Sequence, residues 1–311
     1  MYPIKFENLY YNKIWGGRDL KNFRTNLPEG NIGESWDVSC HPNGMSIVAN
    51  GKFKGKSFAK LIEEYGIELL GKNFENKKFP LLIKLINSKE KLSVQVHPND
   101  EYSRINENSL GKTEAWYVVD ANPGAKLIVG TIDCDKEIFE KAIKEEKTEK
   151  YLNEIEVKKG DCFLINSGLI HAIGEGVIIA EIQQNSDITY RIYDYGRPRE
   201  LHIDRALDVI NFNLYAVNCG NNKLEEHIGY SKNILCSSEY FTIEKYIING
   251  ELAEESDINK FYILTCVDGK GIIKYKNDIR VDISKGESIL IPATLGKYII
   301  SGDLIVLKSY I

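Results

Sequence analysis

The sequence predicts a mainly β protein of two stacked β-sandwich or jelly-roll barrels, with a few short helices inserted in and around the first. Three observations carry this. Short apolar or alternating runs separated by Gly, Asn and Pro turns recur along the whole chain, the pattern of strands in sheets. Helical spacing of apolar residues is confined to a few stretches. Finally, Lys285-Gly286-Glu287-Ser288-Ile289-Leu290-Ile291-Pro292 echoes Lys159-Gly160-Asp161-Cys162-Phe163-Leu164-Ile165-Asn166, and Phe261–Leu264 echoes the strand after Glu114, so a β unit is repeated. The Asn- and Gly-rich segment Asn218–Lys223 separates the copies, giving one domain over 1–223 and a second over 224–311.

In chain order, Lys13–Gly17 and Gly33–Ser39 read as strand and loop between Asn, Pro and Gly turns. Ser57 caps a helix to about Leu70, since Phe58, Leu61, Ile62, Tyr65 and Leu69 recur at helical spacing and Gly71 stops it. Phe79–Ile86 is nearly all apolar, a strand covered on both faces, with Lys84 as the exception. A lysine there costs free energy unless it is paired or opens into a polar cavity. Asn99 caps a polar turn or short helix, and Gly111–Val119 is a strand with Lys112, Glu114 and Trp116 on one face. Asp133 to about Leu152 reads as a solvated amphipathic helix. Cys162–Ile165 is a strand after a Lys-Gly-Asp turn, and His171 opens the next one. Val177–Gln184 is a further strand, and Asp187–Tyr195, if extended, puts Asp187, Thr189, Arg191 and Tyr193 on one face. Leu201–Phe212 holds a short helix, and strand and turn follow from Leu224.

The chemistry centres on Leu92–Asp100. Alternation sends Ser93, Gln95 and His97 to one face and Val94 and Val96 to the other. A Gln amide oxygen and a neutral imidazole two residues apart suit a metal ion. Glu114, heading a nearby apolar strand, is the natural third ligand, and His171 supplies a fourth. The C-terminal copy lacks this set. Lys297 stands in the place of His171, and no carboxylate heads the strand at Phe261, so 224–311 is expected to pack without binding metal.

Composition narrows the classes. With 45 acidic against 40 basic residues and a net charge of −5, the chain has no basic stripe, which argues against nucleic acid as a partner. No apolar run approaches the ~20 residues that cross a bilayer, and no signal-peptide core follows Met1, so a cytoplasmic protein without a membrane partner is expected. The six cysteines, Cys40, Cys134, Cys162, Cys219, Cys236 and Cys266, form no CxxC pair and read as reduced core residues. No sequence feature sets an oligomeric state.

Pro80–Lys84, Ser93–Asp100, Gly111–Trp116, His171-Ala172 and Gln184–Arg191 together closely resemble the type I phosphomannose isomerases, zinc-dependent cupin enzymes that interconvert mannose 6-phosphate and fructose 6-phosphate. The resemblance implies two cupin barrels, the second degenerate, and one Zn²⁺ per chain on Gln95, His97, Glu114 and His171. It implies active-site roles for Glu181, Asp187 and Arg191, and places Lys84, Ser93 and Lys112 in the pocket for a small phosphosugar. The chain lacks the large helical insertion of long eukaryotic members and so matches the short bacterial form.

The residues suit the implied reaction. Aldose–ketose isomerisation moves a proton between adjacent carbons through an enediolate, which needs a base and positive charge near two oxygens. Glu181 and Asp187 are both candidates for the base, Arg191 for the charge, and Lys84 and Lys112 for the phosphate. A metal-dependent cupin oxygenase is an alternative that calls for an apolar pocket. A non-catalytic sugar-phosphate-binding cupin is another, and it would need neither the base nor Arg191.

Overall fold

A computed structural model describes residues 1–75, 77–220 and 222–311, so Asn221 of the predicted boundary segment lies outside the described residues. The chain is mainly β, as expected, in three antiparallel sheets. In the first half a seven-stranded sheet runs in the order Cys162–Ile165, Glu114–Ala121, Val177–Gln184, Leu81–Ser88, Ile32–His41 and Leu9–Gly17, with Gly44–Met45 added at one strand. A five-stranded sheet runs Tyr190–Tyr193, Val94–Val96, His171–Ile173, Lys126–Thr131 and Leu152–Glu156. Trp116, Val118 and Ile179 of the larger sheet pack on Leu127, Val129 and Ile173 of the smaller, so the sheets face each other across one apolar layer. The layers are those of a jelly roll, with open sheets rather than closed barrels.

The strand Leu81–Ser88 is buried along its whole length because it is covered on both faces. Its neighbours bring Ile178, Ala180 and Ile182 to a second core that includes the helix Phe58–Leu70 and Leu235, Phe241 and Ile263 of the C-terminal half. That helix begins as expected, with the Ser57 side chain accepting from the Lys60 N–H, and stops at Gly71, whose φ of 95° is the left-handed conformation glycine tolerates. Asn99 caps the helix Asp100–Asn106 by accepting from the Tyr102 N–H. The third helix is shorter than its apolar spacing suggests. It spans only Lys136–Lys144, because Asp133 and Glu146 take left-handed φ values of 49° and 57° on either side, and Leu152 starts a strand. The fourth is Ile203–Val209.

The C-terminal half forms a nine-stranded sheet around Tyr246, Leu264, Ile289, Ile300 and Val306. It also takes the first strand of the chain, Ile4–Lys5, against Ser288–Ile291, so the N-terminus is stitched into the second half. The repeat is visible in register. Ser288–Ile291 pairs with Tyr262–Thr265 as Cys162–Ile165 pairs with Glu114–Tyr117, which puts Tyr262 in the place of Glu114. Lys297, in the place of His171, is exposed at the head of its strand. Inside this half Lys308 is buried 2.5 Å from Glu254, an internal ion pair. No described helix is long and apolar enough to cross a membrane.

Candidate metal centre and substrate cleft

Strand pairing assembles the site as two facing rows. Across the five-stranded sheet Gln95 pairs with His171 on one side and Arg191 on the other. Across the seven-stranded sheet the row is Trp116, Glu181, Lys84 and Trp36, each opposite the next. Glu114 heads its strand opposite Gln183, at the end where the two sheets converge on His97.

The four expected ligands come together. His97 Nε2 lies 3.1 Å from His171 Nε2, and these atoms are 3.5 and 3.6 Å from the two Glu114 carboxylate oxygens. The Gln95 amide reaches within 3.3 Å of His171 Nε2, and a half-turn about its last bond aims its oxygen at the same point. His97, Glu114 and His171 are all buried. The donor set fits a cation. The Leu169 carbonyl, 2.8 Å from His171 Nδ1, accepts that nitrogen's proton and leaves the Nε2 lone pair facing the centre. Burial, reinforced by the Lys112 ammonium, lowers the His97 pKa to about 3, and burial also lowers that of His171, so both imidazoles are neutral as ligands must be. Burial alone would push the Glu114 carboxyl up, but Lys112 and the imidazoles outweigh it and hold it well below the usual range. One Glu114 oxygen, Oε1, is buried without a hydrogen-bond partner. A positive charge already occupies the neighbourhood: Lys112 donates to Glu114 Oε2 and its Nζ lies 2.9 Å from His97 Nε2.

Beside the centre opens a cleft of about 350 Å³. Lys13, Lys84, Lys112, Arg191 and Arg199 line it against three carboxylates, Glu34, Glu181 and Asp187, an excess of positive charge suited to an anionic ligand. Lys84 is buried but paired, 3.0 Å from Glu181 Oε1, with its ammonium over the Trp36 ring at 5.2 Å. Burial would lower its pKa; Glu181 and Glu34 more than compensate and raise it. The Trp116 indole donates to Glu181 Oε2 at 3.1 Å, so this carboxylate is fixed at both ends. Asp187 sits at the rim with its side chain 38% exposed, accepting from Asn43 at 2.6 Å. Arg191 donates from Nε to Ser93 at 3.3 Å and from Nη1 to the Glu200 carbonyl at 2.7 Å.

All ten candidate residues therefore lie at the centre or around the cleft. Tyr193, expected on the face of Arg191, does not line the cleft; the strand bulges between Arg191 and Tyr193, and the phenol bonds Glu149 instead. Sequence reasoning assigned nothing to Lys13, Glu34 or Arg199. Glu34 and Trp36 stand two apart in one strand, a same-face polar pair like Gln95 and His97, and that was the available signal.

Comparison with known proteins agrees with this geometry. Residues 4–130 match the family description "Phosphomannose isomerase type I, catalytic domain", and 231–311 match "Mannose-6-phosphate isomerase, cupin domain". The chain is 37% identical to the mannose-6-phosphate isomerase of Streptococcus mutans, over 99% of this chain and 98% of that one. It is 35% identical to mannose-6-phosphate isomerase ManA of Bacillus subtilis, over 96% of each. A crystal structure of the mannose 6-phosphate isomerase from Bacillus subtilis superposes with a TM-score of 0.92 at 35% identity, covering 100% of both chains. The likeness covers the cluster, the cleft and the C-terminal half alike, and the chain belongs to the type I phosphomannose isomerase family.

Proposed function

We propose that this chain interconverts mannose 6-phosphate and fructose 6-phosphate by proton transfer through an enediolate, with one Zn²⁺ held by Gln95, His97, Glu114 and His171. The observation that carries the reading is a cluster of two neutral imidazoles, an amide and one carboxylate opening into a cleft with five cations and three carboxylates. Borderline N and O donors suit zinc, and a single anionic ligand leaves the ion net positive. When bound, such an ion supplies Lewis-acid stabilisation of negative charge on the sugar oxygens.

The chain's own residues do the rest. Glu181 moves the proton between the adjacent carbons. It is buried beside the cleft, and Lys84 and Trp116 fix its carboxylate so that no reorganisation precedes transfer. Asp187, at the rim, binds a substrate hydroxyl. Arg191, braced by Ser93 and the Glu200 carbonyl, stabilises charge that grows as the enediolate forms. Lys112, whose ammonium borders both the centre and the cleft, would with Lys84 balance the phosphate. Residues 1–223 carry this machinery, and 224–311 supply packing for the sheet behind it.

An oxygenase reading fares worse, because the charged cleft does not suit an apolar substrate. A purely binding role leaves the buried Glu181 and the braced Arg191 without use. A coupled assay tests the proposal: turnover of mannose 6-phosphate with little turnover of unphosphorylated mannose supports it, and equal turnover of the two refutes the phosphate assignment. Lack of any isomerase activity in metal-replete protein refutes the reaction itself. Metal analysis of the same sample reports whether zinc is present.

A further inference from the structure

Three of the six cysteines, scattered in sequence, meet between the two halves. Cys162 lies on a strand of the seven-stranded sheet, Cys236 on the strand Tyr230–Ser237 of the C-terminal half, and Cys219 on the segment joining them. Cys162 and Cys236 belong to one apolar cluster, and Cys219 packs against it. Cys162 and Cys236 are buried in the shared core, whereas Cys219 is half-buried and reachable.

Backbone register singles out one pair. An isolated antiparallel bridge joins Phe163 to Asn218, which sets Cys162 opposite Cys219. The Cys219 N–H donates to the Cys162 carbonyl at 2.8 Å, and Cys219 Sγ lies 3.2 Å from that oxygen. Directly opposed residues in such a ladder have Cα atoms about 4.5–5.5 Å apart, inside the span of about 4.4–6.8 Å that a disulfide bridges. The groups meet as pairs and do not form a metal-binding trio. Among the described residues, only His97, Glu114 and His171 bring three ligating atoms within 4.8 Å of one another.

A fourth group completes the cluster. Lys245, buried, donates to the Gly220 carbonyl at 3.1 Å and faces the thiols of Cys162 and Cys219. The hydrogen bond with Cys162 is the main reason the Cys219 thiol is held below its usual range. Burial opposes this and the Lys245 ammonium assists it. Cys40 and Cys134, also half-buried, have no such partner, and burial pushes both up.

We propose that Cys219 and Cys162 are a peroxide-reactive dithiol, with Cys219 as the attacking sulfur and Cys162 as the resolving one. The Cys219 thiolate attacks one oxygen of hydrogen peroxide. The O–O bond breaks, hydroxide leaves, and sulfenic acid forms. The Cys162 sulfur then attacks the Cys219 sulfur, the S–S bond forms as the S–O bond breaks, and the departing hydroxide takes the Cys162 proton as water. Two electrons pass from the thiols to peroxide, which ends as two waters. The bond ties the connecting segment to the strand Cys162–Ile165, whose Phe163 and Ile165 pair with Trp116 and Glu114.

The test uses the intact, metal-replete chain and one equivalent of hydrogen peroxide, followed by thiol alkylation and peptide mass spectrometry. The expected result is loss of two of the six free thiols, recovered in a Cys162–Cys219 cross-linked peptide and restored by dithiothreitol. Cys162→Ser should instead leave a dimedone-reactive sulfenate at Cys219, and Cys236→Ser should leave the cross-link intact. Retention of all six thiols, oxidation of Cys40 or Cys134 ahead of Cys219, or a cross-link that requires Cys236 would each overturn the assignment. Because Cys40 and Cys134 serve as controls within the unsubstituted protein, the comparison stands even where a variant folds poorly.

Discussion

The Arg191 side chain is held by Ser93 and the Glu200 carbonyl at one side of the Gln95 row, close to the centre, and none of its hydrogen bonds goes to a side chain of the proposed ligands. If its charge acts mainly on the enediolate, Arg191→Ala lowers kcat on the order of 100-fold while KM and metal content stay near wild type. Steady-state kinetics with metal analysis checks this. A normal kcat with a raised KM would move Arg191 to the phosphate. Glu34 offers a pH test away from the ligands. Burial raises its pKa, but Lys84 and then Lys13 pull harder, and the net shift is downward. A carboxyl depressed in the folded state stabilises the protein above its unfolded value of about 4.3, and that stability is lost as pH falls through the lower folded value. Glu34→Gln should therefore cost on the order of 1–3 kcal/mol at pH 7, and the gap from wild type should close as pH falls through that lower folded value. Denaturant titrations across that range measure it, and a gap independent of pH contradicts the account. At this scale the sequence was readable wherever a polar residue broke an apolar strand, as at Lys84, Gln95 and Glu114. Glu34 offered only its same-face spacing with Trp36, and Arg199 lies outside the strands, held at the cleft by Asp194.

Gly111 shows how a loop positions Lys112 at the cleft. A Cβ there would stand 2.5 Å from the Asn99 carbonyl carbon and 2.5 Å from the Asp100 nitrogen, backbone atoms that cannot swing aside. The next residue, Lys112, is tied by its N–H to the Pro98 carbonyl at 3.0 Å, which clips the loop against the chain just after His97. Gly111→Ala should force these segments apart, destabilise by about 1–3 kcal/mol, and lower kcat/KM through displacement of Lys112. Wild-type activity at full stability would show that the approach is not needed. The helices show what local sequence carries. Ser57 and Asn99 announce their caps by residue type, and both bonds form. The charged stretch after Asp133 announces only periodicity; its ends are set by left-handed residues that periodicity does not report.

At the scale of the whole molecule, function depends on two sheets presenting matched rows to one cleft, backed by a core shared with a second β unit. The internal repeat made that second unit legible, together with the substitution of its ligand positions. The N-terminal strand inserted into its sheet was not legible, since two residues carry no pattern. The gathering of Cys162, Cys219 and Cys236 at one cluster was equally hidden, because spacing along the chain says nothing of contacts between sheets. On the proposed function, His97, Glu114, His171 and Gln95 hold the one metal on which isomerisation depends. The most direct measurement is a titration: chelator-treated protein receives zinc in steps while conversion of mannose 6-phosphate to fructose 6-phosphate is followed. The expected result is negligible activity without metal, a rise that saturates at one equivalent per chain, and neither binding nor activity for His97→Ala. Full turnover in metal-free protein, or a His97→Ala protein that binds zinc and turns over like wild type, would contradict it.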